Sequence, residues 1–196
     1  RDLTGDWSSD VCSSDLGHDI ISEKVNLPFQ NDVPFGINLL FTSGNFKFGF
    51  EICEDLWTVI PPSSYLALMG ANIIGNLSAS NELVSKADYR KFVVSSQSAR
   101  CMSSYVYSSS GVFESTTDVV FSGHLMIAEN GRILKSNNRF QRENEVITSI
   151  IDVDKINNMR MKNLSFRDSK RACHIKPLEI SFDFKDTNIG DRKSVV

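Results

Sequence analysis

The stretch that most limits the fold of this chain runs from residue 46 to residue 57, Phe-Lys-Phe-Gly-Phe-Glu-Ile-Cys-Glu-Asp-Leu-Trp. Phe46, Phe48, Phe50 and Ile52 alternate with polar or small residues, and this period of two predicts a strand with one buried face. Cys53 stands where the strand should end. A cysteine at such a corner is held by a rigid element at the edge of a cleft, which is how enzymes commonly present a nucleophile. The alternative is that Cys53 is a small buried hydrophobic residue.

The residues after Cys53 predict an α/β domain. The Pro61-Pro62 pair starts a helix that ends at Gly70, and residues 71–77 form a short apolar run typical of a strand buried on both faces. A strand, a helix and a second strand in so short a stretch make a βαβ unit. Ligands bind beyond the carboxyl ends of strands in open α/β sheets, so Cys53 and the polar loop 78–81 are expected to face one cleft.

Further elements follow from periodicity and turn residues. Asn130-Gly131 is a strong signal for a two-residue hairpin turn, and Asp154 is expected to cap a late helix. The helix over 84–104 is expected to have Phe92 and Ala99 on its buried side. The other predicted elements are a hairpin of 35–41 with 46–52 and strands at 105–107, 146–153 and 178–182.

Composition excludes several classes of protein. The 196 residues carry a net charge of −3 and contain no run of basic residues, which disfavours binding to nucleic acid or to an anionic membrane. No apolar stretch approaches the length of a membrane span, and no signal peptide is recognisable. The four cysteines are too widely spaced for a disulfide framework, and the three histidines too scattered for a metal site. A cytoplasmic protein without a metal is expected.

The two ends of the chain differ from the rest. Ser-Ser-Asp occurs at 8–10 and again at 13–15, in a segment without apolar periodicity. We interpret residues 1–16 as a non-native leader and residues 190–196 as a non-native tail. Residues 17–189 are then one domain, expected to be incomplete.

Four stretches carry a resemblance to a known family. In their order and spacing they resemble the carbon–nitrogen hydrolase (nitrilase-type) domain of bacterial glutamine-dependent NAD synthetases, over residues 20–165. The stretches are 51–57 (Glu-Ile-Cys-Glu-Asp-Leu-Trp), 76–82 (Asn-Leu-Ser-Ala-Ser-Asn-Glu), 97–107 (Gln-Ser-Ala-Arg-Cys followed by Tyr-Val-Tyr) and 111–118 (Gly-Val-Phe-Glu-Ser-Thr-Thr-Asp) with Gly123 and Glu129-Asn130-Gly131.

The resemblance implies a four-layer α-β-β-α sandwich, truncated at its N-terminus, and a Glu–Lys–Cys amidase site. Cys53 would attack the side-chain amide of L-glutamine and form a thioester, and the backbone N–H of Glu54 would bind the oxyanion. Trp57, Ser80 and Lys86 would hold the amino-acid end of glutamine. Each also has an ordinary structural interpretation: packing for Trp57, a turn for Ser80 and a solvated cation for Lys86.

Four other residues of these stretches have supporting roles. Asn76 and Arg100 are expected to be structural, through buried hydrogen bonds. Glu114 and Asp118 are expected to order a loop beside the cleft.

Two parts of the family's machinery are expected outside this sequence. The catalytic glutamate and lysine should precede residue 17, because Glu23 and Lys24 do not fall in the family's motifs. Lys47 and Glu51 are expected to be exposed neighbours on the strand. ATP and Mg²⁺ are implied only for a separate C-terminal synthetase domain, whose pyrophosphate-binding loop has no counterpart here. The partners implied are L-glutamine, that domain and further copies of the chain.

Three alternatives remain open. The chain could be a stand-alone nitrilase-type amidase that acts on another small amide. It could be a papain-like enzyme with His124 as the base of Cys53. It could also be a catalytically inactive fragment or binding module in which Cys53 is buried.

Overall fold

Backbone pairing builds one seven-stranded sheet and one separate hairpin in the computed structural model, which describes residues 23–183. The hairpin pairs β1 with β2, and the sheet has the order β8-β7-β6-β5-β4-β3-β9. The strands are β1 (Glu23–Leu27), β2 (Gln30–Phe35), β3 (Leu39–Ser43), β4 (Phe46–Ile52), β5 (Ile73–Ser78), β6 (Ser104–Ser109), β7 (Leu125–Glu129), β8 (Arg132–Ser136) and β9 (Leu178–Ser181). The helices are α1 (Pro62–Met69), α2 (Lys86–Arg100), α3 (Val153–Lys162) and α4 (Leu164–Ala172), with 3-10 turns at Cys53–Trp57 and Val112–Glu114.

The centre of the sheet is parallel and its flanks are mostly antiparallel. β4, β5 and β6 run parallel to one another, so their carboxyl ends meet at one edge. β3 pairs antiparallel with β4, which confirms the predicted hairpin with a later start at Leu39. β9 joins β3 in parallel and confirms the short strand predicted at 178–182. The βαβ unit formed by β4, α1 and β5 is confirmed as well.

The turn between β7 and β8 follows from its sequence. Glu129 pairs with Arg132, which leaves Asn130 and Gly131 as the two turn residues. Both have positive φ, 47° and 88°. This is the conformation of a type I′ turn, which asparagine and glycine adopt at low cost.

The core lies between the sheet and α1 and α2. Leu40, Leu66, Ile74, Val94 and Tyr105 are at most 2% exposed. α1 rests directly on the backbone of β4, because a Cβ at Gly49 would come within 2.8 Å of Leu66 Cδ2.

The prediction for the buried face of β4 is wrong. Gly49 and Glu51 are buried beneath α1, whereas Phe50 and Ile52 are 49% and 46% exposed. The phenylalanines pack instead with one another on the opposite face, where the rings of Phe41 and Phe48 stack with centroids 5.0 Å apart. The alternation was correctly recognised, but the helices cover the side that carries the small and polar residues. Glu51, expected to be exposed, is 2% exposed.

Several predictions for individual elements also need correction. β5 is not buried on both faces, since Leu77 is 58% exposed. Residues 146–152 are not in a strand, and Asp152 rather than Asp154 caps α3, by accepting a hydrogen bond from the backbone N–H of Lys155. The buried side of α2 carries Arg90, Val94, Gln97 and Ser98, while Phe92 and Ala99 lie outside it.

The predicted ends of the chain, 1–16 and 190–196, lie outside the described residues. Within 23–183, no helix combines the length and the apolar character that crossing a membrane requires. Of the four layers implied by the resemblance, this part of the chain shows one sheet with helices α1 and α2 packed on one face.

Candidate active site

Cys53 occupies a conformationally strained corner at the carboxyl edge of the parallel strands. It directly follows β4, opens the 3-10 turn Cys53–Trp57 and has φ +49°. A residue other than glycine in this left-handed region costs of order 1–3 kcal/mol, and such strain clusters at functional sites. The thiol is reduced and half-buried. The position predicted for the nucleophile, at a strand-to-turn corner, therefore matches the structure.

Side chains hold two backbone groups at this corner. The N–H of Ile52 donates to Asp55 Oδ2 at 2.9 Å, and Asn76 Nδ2 donates to the carbonyl oxygen of Cys53 at 3.3 Å. Asn76 is 1% exposed, which agrees with the structural role expected for it. Arg100 is exposed instead of buried, so that expectation is wrong.

Lys86 is the first residue of α2 and lies within electrostatic range of Cys53. Its ammonium donates to Asn81 Oδ1. Burial, together with the positive charge of Arg90, lowers the pKa of Lys86, and the charges of Cys53, Glu82 and Glu54 oppose this shift. Cys53 and Glu54 are thus within electrostatic range of the ammonium. β4 and β5 run parallel, so the loops that follow them begin at the same edge of the sheet; the cleft predicted between these loops stays a prediction.

Ser80 is fixed by a buried arginine that the sequence did not single out. Ser80 is 5% exposed, and its Oγ accepts a hydrogen bond of 3.3 Å from Arg90 Nη2. Arg90 is fully buried and also donates to the carbonyl of Asn81 and to Glu82 Oε1, at 3.3 and 2.6 Å. A helical arginine eight residues after a glutamate is too common a pattern to reveal such a pair.

Glu82 provides the countercharge of this loop. Burial alone would raise its pKa, but hydrogen bonds from Ser122 and Arg90 and the charges of Arg90 and Arg139 outweigh burial and lower the pKa. Arg139 Nη1 lies 3.1 Å from Glu82 Oε2. The carboxylate is therefore ionised at neutral pH and keeps two guanidinium groups next to the Ser80 loop.

The loop 110–123 packs against the end of β5 and the loop that follows it. The N–H of Glu82 donates to the carbonyl of Val120 at 2.7 Å, and the N–H of Ser110 donates to the carbonyl of Ser78 at 2.9 Å. Glu114 and Asp118 are exposed on this loop. Backbone groups and the hydroxyls of Ser115 and Thr116 supply contacts that order this loop.

Trp57 and Glu54 are placed differently from Ser80 and Lys86. Trp57 stacks on Tyr89 of α2 with ring centroids 5.4 Å apart. It lines a groove of about 210 Å³ between the 3-10 turn and α2, and Cys53, Ser80 and Lys86 are not among the described residues that line this groove. Glu54 is exposed directly after the nucleophile.

Both ring nitrogens of His124 contact groups other than Cys53. It is 6% exposed, with Nδ1 3.2 Å from Arg90 Nη1 and Nε2 3.2 Å from Ser136 Oγ. Because a guanidinium only donates, Nδ1 is the acceptor and the ring is neutral. Burial, with the charge of Arg90, lowers the pKa of His124 to about 4. This geometry argues against the papain-like alternative.

No group of three or more His, Cys, Asp or Glu side chains that could hold a metal ion occurs in the described range 23–183. The site is therefore a cysteine at the carboxyl edge of a mixed α/β sheet, with a lysine, a serine and buried ion pairs around it. A thiol held at such a corner near positive charge is how cysteine hydrolases present their nucleophile.

The chain belongs to the carbon–nitrogen hydrolase family, whose model matches residues 7–161. The glutamine-dependent NAD(+) synthetase of Mycobacterium bovis is 38% identical over 154 residues, which cover 77% of this chain and 22% of that protein. The chain therefore spans about a fifth of the length of the curated relatives it matches.

Solved structures support the same assignment. The glutamine-dependent NAD(+) synthetase of Cytophaga hutchinsonii has a TM-score of 0.50 and 27% identity, over 62% of this chain and 18% of that one. The carbon–nitrogen hydrolase of Helicobacter pylori G27 has a TM-score of 0.53 at 17% identity, over 66% of this chain and 47% of that one, and shows likeness of fold alone. The predicted α/β, nitrilase-type fold is confirmed. The resemblance to the carbon–nitrogen hydrolase domain of glutamine-dependent NAD synthetases is confirmed as well.

Proposed function

We propose that the chain is the glutaminase part of a glutamine-dependent NAD synthetase and releases ammonia from L-glutamine at Cys53. The observation that carries this proposal is the corner at Cys53, with φ +49° and Lys86 within electrostatic range. Similarity to NAD synthetases that are glutamine-dependent by name selects glutamine among small amides.

The reaction we propose has two halves. Cys53 Sγ bonds to the side-chain amide carbon, the carbon–nitrogen bond breaks, and the nitrogen leaves as ammonia with the proton of the thiol. Water then attacks the thioester carbon, which releases glutamate and returns a proton to the sulfur. We assign the proton transfers to the glutamate, and charge stabilisation to the lysine, that the resemblance places upstream of residue 17.

The described residues would bind and orient the substrate. The ammonium of Lys86, held by Asn81, would face the α-carboxylate as a point charge. Ser80, fixed by Arg90, would bind the same end of glutamine. The N–H of Glu54 directly follows the nucleophile, where a backbone donor can reach the oxygen of the tetrahedral intermediate. Trp57, stacked on Tyr89, would brace the outer side of the turn.

In the whole protein, the ammonia would be consumed by ATP-dependent amidation of deamido-NAD in a C-terminal synthetase domain that uses ATP and Mg²⁺. We propose a cytoplasmic enzyme that assembles as a homo-oligomer. The length of the relatives, of which this chain spans about a fifth, supports a further catalytic domain.

The test uses the full-length gene product with Cys53→Ala. We expect NAD formation with glutamine to fall by a factor of about 10³ or more, since removal of a catalytic nucleophile costs several orders of magnitude. NAD formation with ammonium chloride should persist, because it bypasses the thioester. Cys173→Ala, which removes another half-buried thiol, is the matched control and should keep both activities.

Two outcomes would overturn the proposal. Undiminished glutamine-dependent synthesis in Cys53→Ala would exclude Cys53 as the nucleophile. Hydrolysis of other small amides but not glutamine by the wild type would instead establish the stand-alone amidase.

A further inference from the structure

A chain of three buried side chains lies directly behind Cys53, on the face of the sheet that α1 and α2 cover. Glu51, Asn76 and Tyr105 come from the adjacent strands β4, β5 and β6 and are 2%, 1% and 0% exposed. Asn76 Nδ2 donates to the Cys53 carbonyl oxygen at 3.3 Å and to Tyr105 Oη at 3.1 Å. Tyr105 Oη donates to Glu51 Oε1, and the second oxygen of Glu51 accepts from the N–H of Ser63 at 2.7 Å.

The direction of every bond in this chain is determined by its chemistry. The Cys53 carbonyl oxygen only accepts, so the amide of Asn76 must present its nitrogen. The single hydroxyl proton of Tyr105 goes to the carboxylate, so its oxygen accepts from Asn76. A reversed amide would place two acceptors against each other. The chain therefore has one arrangement, from Asn76 through Tyr105 to Glu51.

The carboxyl group of Glu51 anchors the chain at its far end. Burial raises the pKa of Glu51, while hydrogen bonds from Tyr105 and Ser63 act in the opposite direction. Burial, with the charge of Glu51, raises the pKa of Tyr105 well above its usual value, so the proton stays on the phenol. The N–H of Ser63 lies in the first turn of α1. The anchor thus joins the strands to the helix that follows the nucleophile.

A buried polar network of this kind costs stability unless its bonds are formed, and in the described residues Asn76 Oδ1 is a buried atom without a partner. The network ends on the carbonyl of Cys53, the strained residue itself. Asp55 holds the N–H of Ile52, one peptide group before the Ile52–Cys53 peptide, so backbone groups before and after the Cα of Cys53 are held. Within residues 23–183, Asn76 is the side-chain donor to the Cys53 carbonyl.

We propose that Asn76 and Tyr105 are positioning residues for the nucleophile, which keep the Cys53 peptide in its strained conformation, with Glu51 as their anchor. The proposal rests on the proposed function, because it assigns a nucleophilic role to Cys53. Neither Asn76 nor Tyr105 touches the substrate. Loss of Asn76 or Tyr105 lowers the rate of the chemical step and leaves the binding of glutamine by Lys86 and Ser80 unchanged.

The main test is Tyr105→Phe in the full-length gene product. The change removes one oxygen atom and takes the acceptor from Asn76 and a donor from Glu51. We expect kcat for glutamine hydrolysis to fall about 10- to 100-fold, since small misplacement of a reacting group has costs of this size. KM for glutamine should stay within about twofold, because uniform binding is untouched. Iodoacetamide labelling of Cys53, followed by peptide mass spectrometry, should slow as well.

The matched control is Tyr107→Phe. Tyr107 stands two residues further along the same strand, is 1% exposed and donates its hydroxyl proton to Ser78 Oγ at 2.9 Å. The Tyr107→Phe variant loses a comparable buried hydrogen bond but keeps the chain of hydrogen bonds from Glu51 to Cys53. We expect its rate of Cys53 labelling to stay within about twofold of the wild type, at a similar loss of stability.

A second variant covers the case in which Tyr105→Phe does not fold. Glu51→Gln combined with Tyr105→Phe leaves no buried carboxylate without a donor and keeps an acceptor for Ser63. The same fall in labelling rate and kcat is expected. A KM for glutamine within about twofold of the wild type shows that the variants are folded.

The outcomes separate this proposal from the proposed function. If the wild type hydrolyses glutamine and Tyr105→Phe keeps its kcat and labelling rate, the positioning role is wrong and the function stands. An equal fall in kcat and in the Cys53 labelling rate in Tyr107→Phe would also overturn the positioning role, because the effect would then follow from the loss of any buried hydroxyl. If the wild type hydrolyses no glutamine, the proposed function fails, and unchanged Cys53 labelling in Tyr105→Phe would still refute the positioning role.

Discussion

At the scale of single residues, His124 makes stability depend on pH. Its pKa falls from 6.5 to about 4 because it is buried next to Arg90, while Glu82 opposes and Arg139 and Lys91 add to the shift. Below pH 6.5 the unfolded chain binds a proton that the folded chain refuses, so stability falls as the pH drops from 6.5 to about 4. A shift of this size corresponds to about 3 kcal/mol.

The measurement is the free energy of unfolding of the full-length protein between pH 7 and pH 4, from urea titrations. His124→Asn keeps an acceptor for Arg90 but cannot be protonated in this range. We expect the variant to lose less stability than the wild type over the window. Parallel curves for the two proteins would show that His124 is not held neutral.

Sequence reasoning located the corner at Cys53 but not the groups that support it. The corner at Cys53 was predictable, because alternation ends there and turn-forming carboxylates follow at once. The burial of Glu51 and Arg90 was not, since charged residues are rarely fully buried unless they are paired. Their partners, Tyr105 and Glu82, are 54 and 8 residues away in sequence, and no local pattern reports such pairs.

At the scale of elements, Arg160 of α3 joins the ends of two other helices. Its guanidinium donates to the carbonyls of Ala71 and Gly70 after α1, at 2.7 and 3.4 Å, and to those of Cys101 and Met102 after α2, at 2.8 and 2.9 Å. Burial lowers its pKa to about 10, so it remains charged at neutral pH. A cation at two helix C-termini is favoured by both helix dipoles.

Arg160→Met should therefore destabilise the fold by roughly 3 kcal/mol, because buried carbonyls lose their donors. The chemical denaturation midpoint of the full-length protein measures this loss. Arg171→Met is the control: that side chain is 73% exposed and pairs with the equally exposed Asp168, so a change below about 0.5 kcal/mol is expected. Equal midpoints for the two variants would show that Arg160 does not join the helices.

Element boundaries were predictable where backbone chemistry dictates them. Proline at the start of α1 fixes φ, whereas Gly70 at its end and Asn130-Gly131 in the turn tolerate positive φ, and all three features agree with the structure. The strand predicted at 146–153 failed because apolar residues alone do not provide a neighbour to pair with. Val146 and Ile150 are 85% and 57% exposed in that segment. The face of β4 was misassigned because periodicity gives two faces and does not say which one a helix covers.

At the scale of the whole molecule, the side of the sheet away from α1 and α2 is apolar and open in the described residues. Phe50, Ile52, Leu77 and Val106 share this face through strand register and are 49%, 46%, 58% and 36% exposed. A nitrilase-type sandwich packs a second sheet against such a face. An open apolar patch of adjacent residues favours association between molecules.

The 196-residue chain, produced by itself, should therefore associate through this face. Sedimentation velocity should show species larger than a monomer, and Leu77→Lys should shift them towards the monomer, since a lysine opposes burial of the patch. Phe92→Lys is the matched control, because Phe92 is 69% exposed on α2, which packs on the other face of the sheet. A monodisperse monomer would contradict the prediction outright. A shift produced by Phe92→Lys and not by Leu77→Lys would place the contact on the helical side instead.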